Sequence, residues 1–388
     1  MSRKRVVFGS RFTKLVPMTW IWEQTDWPNF TWNQDKISSI CREIAFCMGS
    51  LDARAGVTEK NESLATELDS ILKNILHSSE IEGETLNVYS VRSSLAKRLK
   101  LKIEPFPTTK KTEGLADLQF DIFRNTNQKV TVSRLFQWHR WLFPETKETN
   151  IRVGKWRGKN PMLVVSGRVD NPKVHFDAPS HKRVKAEMKS LLDWFDESKM
   201  DIGLDPFVRA GILHLWFLTI HPFEDGNGRL ARVFSELALA QYNQKCAKLY
   251  SLSSSILEKR KDYYSRLETT QRGDLDITNW IEWYLSVLKD SILNSIAKIE
   301  KLISKTRFWR NFNHLNLLSE QKKILNLMLD SNSNQFDEGI SAGQYQKITK
   351  VSKATATRHL TDLLTLGCLK KLPVGGRSTK YVLSSIQS

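Results

Sequence analysis

The chain has 388 residues and carries 59 Lys+Arg against 42 Asp+Glu, a formal net charge of +17 at pH 7. With 40% apolar and 26% charged residues it is globular in composition and long enough for two or three domains, and its charge favours an anionic partner such as a nucleotide or nucleic acid. No run approaches the ~18 apolar residues of a membrane span, and Cys41, Cys47, Cys246 and Cys368 show no CxxC spacing for zinc or a disulfide framework.

Residues 1–13 lack the apolar run of a signal peptide, so a reducing cytosol is the expected home. An aromatic cluster follows, Trp20, Trp22, Trp27, Phe30 and Trp32. Interleaved aromatics and bases can stack nucleobases, but Glu23, Asp26 and Asp35 lie among these, which favours packing in a small helical cap. From about Glu62 to Glu82, Leu64, Leu68, Ile71, Leu72, Ile75 and Leu76 recur at helical spacing, with Gly83 as a natural stop. Ser78 and Glu82 stand four apart on one face of its last turn; taken alone, that is a helix end with solvated carboxylates.

Arg92, Lys97, Arg98, Lys100, Lys102, Lys110 and Lys111, with Pro105 and Pro107 among them, predict a basic surface connector over 92–111, a nucleic-acid patch being the sharper alternative. Helices follow over 115–123 and 132–142. Gly154-Lys155-Trp156-Arg157 precedes residues 162–176, whose β-rich ends around Gly167, Asp170, Asn171 and Pro172 predict a β-hairpin. An exposed hairpin edge can take another chain by strand addition.

Residues 207–220 read as a buried helix with Ile212, Leu215, Trp216 and Ile220 on one face, and a second stripe resumes at Leu230, Val233, Phe234, Leu237 and Leu239. Between them runs His221-Pro222-Phe223-Glu224-Asp225-Gly226-Asn227-Gly228-Arg229-Leu230-Ala231-Arg232. Glycines 226 and 228 permit positive φ and close approach, and the N–H groups of the loop and new helix form an anion nest. Arg229 and Arg232, three apart, share one side of the first turn and can clamp a polyphosphate. Asp225 offers the hard oxygen that a phosphate-bound Mg²⁺ takes. His221 carries a ring suited to drawing a proton from an attacking hydroxyl.

This stretch resembles the motif of the Fic family, HPFx(D/E)GNGRxxR, and every fixed position is filled. The resemblance implies a helical Fic core and transfer of AMP from ATP to a hydroxyl side chain of a target protein. On it, His221 is the general base and Asp225 holds Mg²⁺. Asn227 with the Gly226 and Gly228 amides grips the α- and β-phosphates, and Arg229 and Arg232 balance charge farther along. The related death-on-curing kinases replace the Gly-Asn-Gly core, so phosphotransfer of their kind is disfavoured. The segment Ser78-x-x-x-Glu82-Gly83 is in turn similar to the family's inhibitory helix, which implies that Glu82 reaches the nest, pairs with Arg232 and blocks the γ-phosphate. The hairpin becomes the flap that aligns a target's backbone with the histidine. Residues 20–32 resemble the N-terminal domain that accompanies many bacterial Fic proteins.

Downstream, Tyr263-Tyr264 and Asp276-Ile277-Thr278-Asn279-Trp280 fit the family's pattern; Tyr264 is a candidate wall of the adenine pocket, although aromatics at helical spacing more often pack in a core. A helix over 281–308 leads away. Residues 321–329, 343–348 and 352–366 then predict three helices, the last capped by Ser352 with Ala354, Ala356, His359, Leu360 and Leu363 behind it. Residues 369–372, 373–377 and 381–383 predict a two-stranded wing, and the whole resembles a winged-helix domain. Lys347, Lys350, Lys353, Arg358, Lys370, Lys371, Arg377 and Lys380 face only Asp362 in charge, which suits DNA phosphates; such domains also serve as protein–protein modules.

The expectation is a mainly α protein in three parts: an N-terminal helical domain with the inhibitory helix (1–110), a Fic core with a β-hairpin flap (111–310) and a winged helix (315–388). Its expected activity is protein adenylylation with ATP and Mg²⁺, restrained by Glu82. The expected partners are an unidentified target protein or the chain itself, DNA through the winged helix and a second copy of the chain, with no membrane. Hydrolytic removal of AMP with Glu82 placing water, transfer of another phosphate-containing group, and a DNA-binding regulator that only senses nucleotide are the competing functions.

Overall fold

Helices start where the sequence offers a side chain to the first unpaired N–H groups. The computed structural model describes residues 5–7, 19–144, 151–167, 172–330, 336, 339–373 and 379–384. The chain divides into two compact units, Met1–Ser295 and Ile296–Ser388. The segment expected over 1–110 and the first part of the one expected over 111–310, as far as Ser295, thus lie in one unit.

In the larger unit, Asn33 caps α1 (Gln34–Gly56), and α2 (Lys60–Ile81) begins with a capping box of Glu59 and Glu62. Asn87 caps α3 (Val88–Leu99), Thr109 caps α4 (Lys110–Arg124) and Thr131 caps α5 (Val132–Leu142). Helix α3 corrects the expected connector over 92–111. The prolines break only the stretch after Leu99, and Val91, Leu95 and Ala96 keep a buried face among the basic residues.

Strands β1 (Arg5–Val7), β2 (Leu163–Gly167) and β3 (Pro172–Asp177) form an antiparallel sheet in that order. The hairpin is as expected, whereas β1 is too short for its pattern to have shown. The turn residues Asp170 and Asn171 lie outside the described residues.

Ser180 caps α6 (His181–Glu197), and Asp205 with Pro206 at the first turn starts α7 (Pro206–Ile220). Then come α8 (Asn227–Tyr242), α9 (Gln244–Ala247), α10 (Leu252–Glu258), α11 (Arg260–Gln271) and α12 (Thr278–Phe312), whose residues from Ile296 onward belong to the smaller unit. Residues Phe207 to Ile220 of α7 are all buried, so this helix is the axis of the core. Its closest partner is α8, and α8 in turn packs on α2 and α4.

The early tryptophans are packing groups. Trp20 meets Phe176 of the flap edge-on at 5.3 Å, Trp22 Nε1 donates to Asp177 O at 2.8 Å, and Trp27 and Phe30 pack on Trp216.

In the smaller unit, α13 (Ser319–Asp330), β4 (Ile340–Ser341), α14 (Ala342–Thr349), α15 (Lys353–Thr365), β5 (Leu369–Lys371) and β6 (Lys380–Leu383) follow in order. The sheet order is β4-β6-β5. Ile324, Leu325, Tyr345, Ala356, Leu360 and Leu363 fill its core. Ala354 is exposed, contrary to expectation, because Ala356, His359, Leu360 and Leu363 already complete the buried stripe. The expected wing loop, including Arg377, lies outside the described residues.

Candidate active site

His221 ends α7 in the left-handed region, with φ 51° and ψ 58°, and its N–H closes on Phe217 O at 3.0 Å. For a residue with a Cβ this conformation costs roughly 1–2 kcal/mol, so something must hold it. Arg157 does so: its Nε donates to His221 O at 2.8 Å, its N–H to Pro222 O at 2.9 Å, and its Nη2 to Pro179 O. Burial lowers this guanidinium's pKa to about 10. Arg157→Ala should therefore destabilise the larger unit by about 2–4 kcal/mol through orphaned buried carbonyls, read as a lower denaturant midpoint. An unchanged midpoint would show that the loop holds itself.

The ring is held as firmly as the backbone. His221 Nδ1 bonds to Leu218 O at 3.1 Å, so Nδ1 carries the proton and Nε2 the lone pair. Burial, helped by the nearby Arg157 charge, pushes the imidazole down to about 4 against the opposing pull of the Leu218 bond and Glu82. The ring is neutral at pH 7, with no partner on Nε2 among the described residues, in the state a general base needs.

The loop beyond is braced by side chains at every step. Asn227 Nδ2 donates to Phe223 O at 2.8 Å, and Phe223 N–H donates to Asn227 Oδ1 at 2.9 Å. The Asn227 side chain thus ties the loop to itself four residues back, and the residue lines the cleft. Gly154 N–H donates to His139 Nδ1 at 3.1 Å, which leaves Nε2–H of His139 to donate to Asp225 O at 3.2 Å. Glu224 accepts from Arg152 N–H at 2.7 Å and Gly158 N–H at 3.1 Å.

The two glycines serve different ends. Gly226 has φ 80°, and a Cβ there would meet Leu142 and Phe143. Gly228 is helical instead of positive in φ, correcting the expectation for it. A Cβ there would stand 3.0 Å from Glu82 Cδ and overlap Oε1, so any larger residue would have to displace the Glu82 carboxylate.

Glu82 is thus seated against the nest. It is the C-cap of α2, with Gly83 at φ 80° turning the chain out. Its Oε1 accepts from Arg232 Nη2 at 2.9 Å. Ser78, one turn earlier on the same face, takes Arg232 Nε on its Oγ and Nη2 on its carbonyl, both at 2.8 Å. Arg232 is fully buried, and its Nη1 has no hydrogen-bond partner among the described residues. Burial would raise the Glu82 pKa, but Arg232 and then Arg229 outweigh it and hold the carboxyl below the usual range. Tyr264 Oη donates to Ile81 O at 3.1 Å and approaches Glu82 Oε2 at 3.4 Å.

An open cleft joins these groups, walled by Glu82, His221, the Asp225–Gly228 loop, Tyr263 and Tyr264 of α11, and Val164, His175 and Phe176 of the flap. His221, Asp225, Gly226, Asn227, Gly228, Tyr264 and Glu82 therefore meet on one cavity. Arg229 and Arg232 are buried behind it, held by the end of α2 and the chain just beyond. Asp225 has a side chain 53% exposed at the rim. Sequence reasoning missed Arg157, His139 and Glu224 as loop braces and Glu84 as the partner of Arg229. Arg157 stood in the Gly-Lys-Trp-Arg stretch, without a sign of what it would hold.

Residues 129–239 match the Fic/DOC family, and residues 20–101 match a domain of unknown function, DUF4172. The chain carries a Fic domain. This Fic domain runs through α5, the flap and α6 to the two helices around the motif, and α2 lies in the other matched region. The chain is 26% identical over 241 residues to protein adenylyltransferase fic-1 of Caenorhabditis elegans, covering 57% of this chain and 43% of that protein. It is 25% identical over 230 residues to protein adenylyltransferase Fic of Aedes aegypti, covering 58% and 42%. It thus spans less than half the length of these curated relatives.

Two solved structures share the fold. A Fic family protein from Desulfovibrio desulfuricans G20 superposes with TM-score 0.53 at 19% identity, covering 93% of this chain and 99% of that one. A Fic domain containing signaling protein from Bacteroides thetaiotaomicron gives 0.51 at 20%, covering 67% and 97%.

Proposed function

We propose that this protein transfers AMP from ATP to a hydroxyl side chain of a target protein, and that Glu82 holds it in check. The observation that carries the reading is His221, neutral and with Nε2 unpartnered, beside a nest of main-chain N–H groups on the same cleft. The target hydroxyl attacks the α-phosphorus in line, its proton passes to His221 Nε2, and the Pα–O bond to the β-phosphate breaks. Pyrophosphate leaves with the electron pair, its charge met by the nest and the arginines. Tyr264, with Leu267 and Gln271 farther along the same helix face, supplies a wall for adenine. His175 and Phe176 place the flap at the same cleft, where its strands can set an incoming target backbone in register.

Among the described residues no group of three or more His, Cys, Asp or Glu is gathered to hold a metal. That fits Mg²⁺ carried in on the nucleotide, which needs one or two carboxylates and otherwise phosphate and water. Asp225 at the rim is the residue that would hold it, and the ion would supply charge neutralisation of the phosphates. The four free cysteines support a reducing compartment such as the cytosol. Incubation with α-³²P-ATP tests the reading: label on the protein itself or on lysate proteins supports transfer, and release of AMP without protein label would overturn it.

For the smaller unit we propose a winged helix that binds duplex DNA. The helices α14 and α15 with the three short strands support it, as do the exposed Lys347, Lys350, Lys353, Arg358, Lys370 and Lys371. Lys353→Glu with Arg358→Glu should weaken retention on duplex DNA. The slope of log affinity against log salt should fall by about 1 for each phosphate no longer neutralised. Unchanged retention in a salt titration would assign the unit to protein contacts.

A further inference from the structure

Two residues past Glu82, Glu84 makes with Arg229 the contact that Glu82 makes with Arg232. Its Oε2 accepts from Arg229 Nη1 at 2.7 Å, and its Oε1 is paired with Lys111 Nζ. The Arg229 side chain is only 7% exposed, its guanidinium lies over the Phe143 ring at 4.9 Å, and its Nε has no hydrogen-bond partner among the described residues. Its Nη2 stands 3.6 Å from Asp225 Oδ1, and Asp225 lines the cleft. The guanidinium is therefore held at the back of the nest and reaches the cleft side only loosely. The end of α2 and the two residues after it neutralise both motif arginines, one carboxylate to each.

We propose that Glu84 is a second determinant of nucleotide affinity, which withholds Arg229 from the distal phosphates of a nucleoside triphosphate as Glu82 withholds Arg232. This rests on the reading of the cleft as an ATP site. Electrostatics give the sign. A bound triphosphate needs uncompensated cations around it, and removing Glu82 alone frees Arg232 but leaves Arg229 paired. The contact is also breakable. Glu84 is 24% exposed and shares its charge with Lys111, so the ion pair with Arg229 lacks the full strength of an isolated buried one. Release of Glu84 lets Arg229 move its charge toward Asp225 and the nest without moving the helix. A single phosphate seated on the nest gains less than a triphosphate whose distal groups lie nearer the arginine.

The test is calorimetric titration of the 388-residue chain carrying Glu82→Gly or Glu82→Gly/Glu84→Gln with ATP and, separately, AMP, both with Mg²⁺. Thermal melts confirm that each variant is folded. The double variant should bind ATP about three- to tenfold more tightly than the single one, and AMP with a change of less than about twofold. Glu84→Asp in the same background keeps the charge but shortens the reach, and should give a smaller gain of the same sign. A loss of ATP affinity in both would make Glu84 a support that aims Arg229, and equal affinity would make it a bystander; either overturns the proposal. A folded Glu82→Gly protein that binds no ATP would overturn the nucleotide reading itself, and this proposal with it.

Discussion

Replacing Glu82 by glycine should raise AMP incorporation, into the protein itself or lysate proteins, by about 10–100-fold. That is the worth of one charge-assisted hydrogen bond of about 1.5–3 kcal/mol returned from Glu82 to phosphate. In the resting protein Arg232 Nη2 is spent on Glu82 Oε1 at 2.9 Å, and the same oxygen fills the space above Gly228. Glycine at 82 removes the charge and the obstruction together, while Ser78 still aims the Arg232 Nε. A purely destabilising substitution would lower the rate, so the direction of change separates the two readings. Arg232→Ala should be inactive with either residue at 82, since it deletes the phosphate ligand as well as the inhibitory partner. The inhibition should also resist mild acid. Glu82 is held below the usual carboxylate range, so its pairing is complete above the ordinary value and is lost only as pH falls through the depressed one. Wild-type labelling that rises between about pH 7 and 5.5 would contradict that sign, since an ordinary carboxyl titrates near 4.3. Equal incorporation by wild type and Glu82→Gly at matched ATP would return Ser78–Gly83 to an ordinary helix terminus.

The loop from His221 to Arg232 was legible because its chemistry is contiguous: it lies on one helix end, one turn and the next helix start. The pairing of Glu82 with Arg232 spans 150 residues and could be read only through the resemblance of Ser78–Gly83 to an inhibitory helix. What stayed hidden is what holds these groups. Arg157 secures the backbone of His221 from 64 positions away, and His139 reaches Asp225 across 86. No periodicity encodes such pairs. That the Asn227 amide also bridges the Phe223 N–H and C=O, four residues back, could not be read from the motif. That Glu82, a side chain from another element, presses on Gly228 is likewise something composition does not reveal. The helix over Val88–Leu99 was missed for a different reason: its basic residues and the downstream prolines outweighed a short buried stripe.

His221→Ala, made in the Glu82→Gly protein, should lower the rate of AMP transfer by about 10²–10⁴-fold, the usual worth of a positioned general base. ATP affinity should change by less than about twofold, because the nest lies beyond the histidine and its donors are main-chain groups. Alanine would keep the left-handed cap that Arg157 enforces, so the loop should survive the change. Acidity offers a second reading of the same residue. With the imidazole pushed down to about 4 by burial, the base is already neutral across the physiological range. The rate should therefore be flat in that range and fall only as pH drops through about 4. Loss of the Glu82 charge, which raises the His221 pKa, should move that acid limb lower still in the Glu82→Gly background. Transfer that falls off near the ordinary histidine value of ~6.5 would mean that the ring is not buried as a neutral base in the working enzyme. Transfer at the parental rate in the alanine variant would remove His221 from the reaction altogether and leave the nest as a binding site without a base.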